Sequence, residues 1–155
     1  MIQRWQSLYL LLMAVISFIM LLTDLPLTSG RMVQSREIVE VGIVHSVAPA
    51  ARSTNYWVVI LLTMSCLFSI LALFGYKRLR VQLKLVAFNF LLIGLSVVFM
   101  LYAHFEVMEI AGGGVRFETY YFTWTLPFLL AVLNILSFRA IKKDIELLAS
   151  VDRLR

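Results

Sequence analysis

Four stretches of this chain, residues 7–22, 57–76, 85–102 and 121–138, are overwhelmingly apolar and contain no Asp, Glu, Lys or Arg. Crossing about 30 Å of hydrocarbon takes roughly 20 residues of helix at about 1.5 Å each. A charged side chain at the centre of such a span costs about 2.5–3.5 kcal/mol on insertion scales. Uncharged runs of this length, repeated four times, restrict the chain to a multi-span helical membrane protein. Composition agrees: of 155 residues, 61% are hydrophobic and 15% charged, against roughly 45–50% apolar and about 25% charged in soluble domains. Mean hydropathy is +0.90. Disorder is excluded, because it requires low hydrophobicity.

The first run, preceded by Arg4 and followed by Leu27-Thr28-Ser29-Gly30, has the outline of a signal peptide. Its apolar core reaches from Leu8 to Leu22, at the long end for such a segment, and the expectation is an uncleaved helix. A single cysteine, Cys66, rules out an internal disulfide, two-cysteine redox exchange and any multi-cysteine metal site.

Charge sets the orientation. Arg4, the 77–84 connection and the tail from Arg139 hold ten of the fourteen basic residues and three acids, a net of +7. The connections 23–56 and 103–120 hold four basic residues and six acids, a net of −2. The positive-inside rule places both termini in the cytoplasm, and an even number of spans requires both on one side. Tyr56, Trp57, Tyr102, Tyr120, Tyr121 and Trp124 fall at the outer interface, where amphipathic rings favour the headgroup level.

The outer connections carry strand signals. Glu37–Val44 is rich in β-branched residues, with a bend expected at Gly42. Ser53, Thr54 or Asn55 is placed to cap the second span. Phe105–Ile110 and Val115–Thr119, joined by Gly112-Gly113-Gly114, read as a hairpin. A lone hairpin is marginal in water, so the two loops are expected to pair. Pro127 either opens or kinks the fourth helix. Ile141, Ile145 and Leu148 share a face beyond Phe138, predicting an amphipathic extension. The predicted fold class is an all-α membrane protein: one domain over 1–155, an antiparallel four-helix transmembrane bundle with a small extracytoplasmic β-cap of two to four strands. The cytoplasmic tail covers 139–155.

The ends of the chain are its most distinctive text. It opens Met1-Ile2-Gln3-Arg4-Trp5-Gln6-Ser7-Leu8-Tyr9 and closes Arg139-Ala140-Ile141-Lys142-Lys143-Asp144, then Ser150-Val151-Asp152-Arg153-Leu154-Arg155. Between them stands Tyr76-Lys77-Arg78-Leu79-Arg80-Val81-Gln82-Leu83-Lys84-Leu85, leading to Asn89. This combination resembles the small bacterial four-helix membrane proteins called domain of unknown function 4293, over essentially the whole chain. The resemblance implies a bacterial inner-membrane location and supplies no activity.

The candidate site is a polar cluster toward the cytoplasmic end: Gln3, Arg4, Gln6, Arg80, Lys84, Asn89, Asn134, Arg139, Asp144, Asp152 and Arg153. Two roles compete for it. It docks a protein partner, or it locks the helices internally, with Arg4 pairing Asp144 or Asp152 and Asn89 bonding Asn134. Lys77, Arg78, Arg80 and Lys84 also attract anionic lipid headgroups at about 1 kcal/mol each. His45, His104, Glu106 and Glu109 are the only outer-face metal candidates, and strand geometry leaves Glu109 facing away from His104 and Glu106. Ser65, Ser69 and Ala72 on the second span, and Ala87 and Gly94 on the third, suit close helix packing, between or within chains. No nucleophile stands beside a base, and no Gly-rich phosphate loop precedes a helix. The expectation is therefore a protein with no enzymatic activity, cofactor, metal or nucleic-acid partner. The leading reading is an accessory or scaffold subunit holding an unidentified partner complex. The alternative is a lipid, quinone or small-hydrophobe binder or carrier.

Overall fold

The computed structural model describes residues 3–32, 38–48, 51–75, 78–111 and 115–152. The elements run α1 (Gln3–Thr23), β1 (Pro26–Met32), β2 (Ile38–Gly42), β3 (His45–Ala48), β4 (Ala51–Thr54), α2 (Tyr56–Phe74), α3 (Leu79–Ala111), β5 (Val115–Thr119) and α4 (Tyr121–Asp152). Four helices are long and apolar enough to cross a membrane. They form a ring in which α1 and α3 each pack on α2 and α4.

The buried positions show why these sequences pack. On α1 they are Gln6, Leu10, Met13, Ser17 and Met20; on α2, Val58, Leu62, Ser65, Ser69 and Ala72. On α3 they include Gln82, Val86, Asn89, Ile93, Ser96, Met100 and Ala103; on α4, Leu130, Asn134, Ser137, Ile141 and Asp144. Steps of three and four average 3.5 residues, the spacing that keeps one seam facing its neighbours in a left-handed arrangement. Each seam mixes small or polar groups with Leu, Met or Ile. The outward faces carry Phe18, Leu22, Leu91, Val98, Phe128 and Val132, all exposed. A water-soluble bundle has the opposite polarity.

Cross-helix contacts align the helices in depth. Gln6 meets Asp144, and Cys66 Sγ lies 3.6 Å from the Ala14 carbonyl. Phe68 packs edge-on against Phe88, and Trp57 stacks on Phe99. These pairs set the four uncharged runs side by side, overlapping in depth as one slab. Lys84, Arg139 and Lys142 stand at its lower boundary.

At the other end lies a five-stranded antiparallel sheet in the order β4-β3-β2-β1-β5. The first connection supplies β1 to β4 and the second supplies β5, so the two loops do pair, from Thr28 against Thr119 to Met32 against Val115. The expected strand through 37–44 is β2, and Val115–Thr119 is a strand. Phe105–Ile110 is not: α3 runs unbroken to Ala111. An established helix adds residues at low cost, and Glu106, Met108 and Glu109 are good helix formers. Gly112–Gly114 lie outside the described residues. Pro127 sits within a continuous α4, and the expected extension past Phe138 is helical to Asp152.

Leu27, Val39, Val41 and Ile43 are fully buried and form the apolar side of the sheet, which rests on α3 and α4. Asp24 makes the turn out of α1 with a φ of 39°. Its Oδ1 accepts hydrogen bonds from the amides of Val44 (2.7 Å) and His45 (3.1 Å), and Oδ2 accepts one from His45 Nδ1 at 2.8 Å. Gly42 leaves room for this carboxylate, since a Cβ there would stand 2.7 Å from Asp24 Oδ1 and 2.8 Å from the His45 carbonyl. Asn55 is the residue before α2, yet its side chain makes no cap; it donates instead to the Gly42 carbonyl at 2.9 Å. Thr28 Oγ1 and His104 Nδ1, 3.1 Å apart, join β1 to α3.

Candidate functional site

The structure splits the expected polar cluster in two. Gln6, Asn89, Asn134 and Asp144 are buried between the helices, whereas Arg80, Lys84 and Arg139 are exposed. Gln3 and Arg4 belong to α1 and Asp152 to α4; their side chains, and Arg153 altogether, lie outside the described residues.

Among the described residues the buried group links the helices through two contacts; the expected Arg4 pairing with Asp144 or Asp152 lies outside them. Asp144 Oδ2 accepts a hydrogen bond from Gln6 Nε2, tying α4 to α1. Asn89 Nδ2 donates to Ser69 Oγ at 3.0 Å rather than to Asn134, and Ser69 Oγ donates to the Ser65 carbonyl at 2.9 Å. These links join α3 to α2. Gln82, expected in the inner connection, is instead a buried residue of α3. Asn89 Oδ1, Asn134 Nδ2, Gln82 Oε1 and Asp144 Oδ1 have no hydrogen-bond partner among the described residues. The interior is thus a track of amides and hydroxyls with one carboxylate at its inner end.

Ser65, Ser69 and Ala72 face this interior, so that face is not available for self-association. Gly94, by contrast, has nothing near a would-be Cβ and faces outward. The outer-face histidines are separated by their partners, His45 on Asp24 and His104 on Thr28. Among the described residues no three His, Cys, Asp or Glu side chains gather where they could hold a metal ion.

Outside the ring, the seam between α3 and α4 opens into two hollows. The upper, about 430 Å³, is lined by Ala87, Phe90, Asn134, Ile135, Phe138, Arg139 and Lys142. The lower, about 480 Å³, is lined by Arg78, Leu79, Arg80, Val81, Ile145, Leu148 and Ala149. On α4 the positions 135, 138, 142, 145 and 149 follow one helical stripe, so the hollows are stacked along one seam.

These features define a class: a mostly helical protein whose four apolar, span-length helices keep their polar groups inside and carry a sheet at one end. Within that class the chain belongs to the family Domain of unknown function (DUF4293), whose model matches residues 2–154. No curated protein matches the chain.

Proposed function

We propose that this is a four-span protein of the bacterial inner membrane, with both ends in the cytoplasm and the sheet outside. Its role is that of a non-catalytic accessory or scaffold subunit. One observation carries the reading: two pairs of interior polar groups join helix to helix, Gln6–Asp144 and Asn89–Ser69. What faces outward at the inner end is a surface of Arg80, Lys84, Lys143, Leu147 and Leu148, all exposed. A packed framework with an amphipathic basic rim suits holding a partner better than turning over a substrate. The positive-inside rule supports the orientation, and the aligned uncharged slab supports the membrane placement.

The test is gentle extraction of the tagged protein from its own membrane, followed by native mass spectrometry. The scaffold reading expects one stoichiometric protein partner, lost in Lys84→Glu and Leu147→Glu variants that still fold. A chain without such a partner overturns it. The alternative, an amphiphile binder, is favoured by the open α3–α4 seam.

A further inference from the structure

We propose that the α3–α4 seam is a binding site for one anionic phospholipid of the inner leaflet, its acyl chain lying against the upper hollow and its phosphate held by the cations below. The proposal rests on the amphiphile reading and on the membrane placement given above, and it deepens them by naming the ligand class and the residues.

Charge complementarity carries the argument. The fourteen residues lining the two hollows include four cations, Arg78, Arg80, Arg139 and Lys142, and no Asp or Glu. The hydrocarbon-level part is Ala87, Phe90, Ile135 and Phe138 beside the buried amide of Asn134, a mainly apolar strip that offers dispersion contact to a chain. Arg139 comes immediately after the uncharged run 121–138 of α4, and Lys142 follows three residues further on. They therefore stand where a lipid phosphate meets its acyl ester. An arginine can bind phosphate through two parallel N–H groups, which gives geometric selection beyond simple attraction.

One acid competes. Glu146 Oε1 lies 4.0 Å from Lys142 Nζ in an exposed pair one turn apart on α4. Exposed pairs of this kind are weak, so a phosphate can displace it. A neutral hydrophobe would leave the four cations unused, and a free anion would leave the apolar strip unused. The seam engages both halves of a charged amphiphile.

The site differs from the lipid contact expected from sequence, which used only the 77–84 connection. Lys84 is exposed but lines neither hollow, and Lys77 lies outside the described residues. Half of the cations come from α4, which sequence distance kept apart from Arg78 and Arg80.

The test is native mass spectrometry of the full chain in detergent, titrated with phosphatidylglycerol or with phosphatidylcholine of the same acyl composition. Near a membrane surface each cation contributes roughly fivefold in affinity. The wild type is expected to hold one phosphatidylglycerol at least tenfold more tightly than phosphatidylcholine. Arg139→Gln/Lys142→Gln should lower that affinity about thirtyfold and lower phosphatidylcholine binding far less, because choline's own positive charge offsets its phosphate. Lys143→Gln, one residue beyond and outside both hollows, should keep the preference. Ala87→Trp fills the apolar strip without changing charge and should weaken both lipids. Thermal unfolding in lipid-free detergent checks that each variant folds. Equal loss in Lys143→Gln, or no headgroup preference in the wild type, overturns the proposal. Retention of a neutral amphiphile such as a quinone, unaffected by the double variant, overturns the anionic assignment and leaves the broader amphiphile reading standing. Failure to bind any lipid or quinone overturns both.

Discussion

Asp24 is the residue whose replacement tests the outer architecture most sharply. It occupies a left-handed backbone conformation, φ 39°, and its carboxylate accepts from two backbone amides and one imidazole nitrogen. Asp24→Ala removes all three hydrogen bonds and leaves a β-carbon in a conformation that costs about 1–2 kcal/mol for most residues. A buried amide left without a partner costs about 1–3 kcal/mol; the Asp24 side chain is 33% exposed, so water recovers part of this. We expect a loss of about 3 kcal/mol for Asp24→Ala. Asp24→Gly removes the acceptors but relieves the backbone, for about 2 kcal/mol. Asp24→Asn keeps an acceptor for the two amides and tolerates the conformation, for about 1 kcal/mol. The order Asn, then Gly, then Ala is the signature of the argument. Hydrogen exchange at the Val44 and His45 amides, measured in lipid nanodiscs, should accelerate about a hundredfold in Asp24→Ala, with the helix interiors unchanged. Alanine and asparagine variants within about 0.5 kcal/mol of each other, or a glycine variant worse than alanine, would refute the reasoning.

Three further outcomes are expected. Gly42→Ala should loosen the same turn, because its Cβ meets both the Asp24 carboxylate and the His45 backbone carbonyl; faster exchange at Val44 and His45 is the readout. Gln6→Leu should destabilise the helices by about 1–3 kcal/mol by leaving Asp144 buried without its donor. Thermal unfolding in detergent should find the double variant Gln6→Leu/Asp144→Leu closer to wild type than the single one; a double variant with the two losses simply added contradicts a direct pair. In a Cys66→Ser background, Glu118→Cys in whole cells should react with a membrane-impermeant thiol reagent, and Lys143→Cys only after permeabilisation; the reverse pattern inverts the orientation.

Much of the helical framework was legible because the charge-free runs are long and bulk hydropathy decides them. The continuation of α4 past Phe138 was legible in the Ile141, Ile145, Leu148 face, and β2 in its β-branched residues. The Phe105–Ile110 segment misled because Phe, Val and Ile favour strands locally, whereas its state follows from the helix already running into it. β1, with Pro26, Gly30 and no strand-like alternation, becomes an interior strand only through pairing with β2 and β5, which no local window contains. The rotation of the candidate site was not readable: Asn134, Asp144 and Arg139 are close in sequence but face two ways. A signal existed in the polar residues that fall on the same 3.5-residue seam as Leu10, Met13, Val86 and Ile141. Asp24 gave no signal as one of three acids in a loop with three arginines, since its partners are about twenty residues away.

On the proposed membrane placement, the division of labour between the two ends follows from the solvent each meets. Among lipid-exposed helices the hydrophobic effect supplies no net association, and interhelical polar pairs contribute about 0.6 kcal/mol on average. The helix ring therefore depends on close packing at its seams. The sheet stands at the end where that limit lifts: four fully buried residues, Leu27, Val39, Val41 and Ile43, are worth at most about 1.5–3 kcal/mol each in water. It draws strands from both outer connections, and the Tyr120 amide donates to the Leu27 carbonyl, fastening the start of α4 to β1. At the inner end no sheet spans the described residues; Gln6–Asp144 carries the tie between α1 and α4, and the Arg78 amide donates to the Gly75 carbonyl where α2 turns toward α3. Order should accordingly fall from the sheet toward the basic rim, with the α3–α4 seam at the softer end. That is where an inserted acyl chain would meet the least resistance. Backbone exchange in nanodiscs should therefore be slower at Met100 and Leu130 than at Leu83 and Ile145, and adding phosphatidylglycerol should narrow the gap by slowing the second pair. A uniform profile, or slowing confined to the sheet, would contradict a ring clasped from outside and completed by lipid at its inner end.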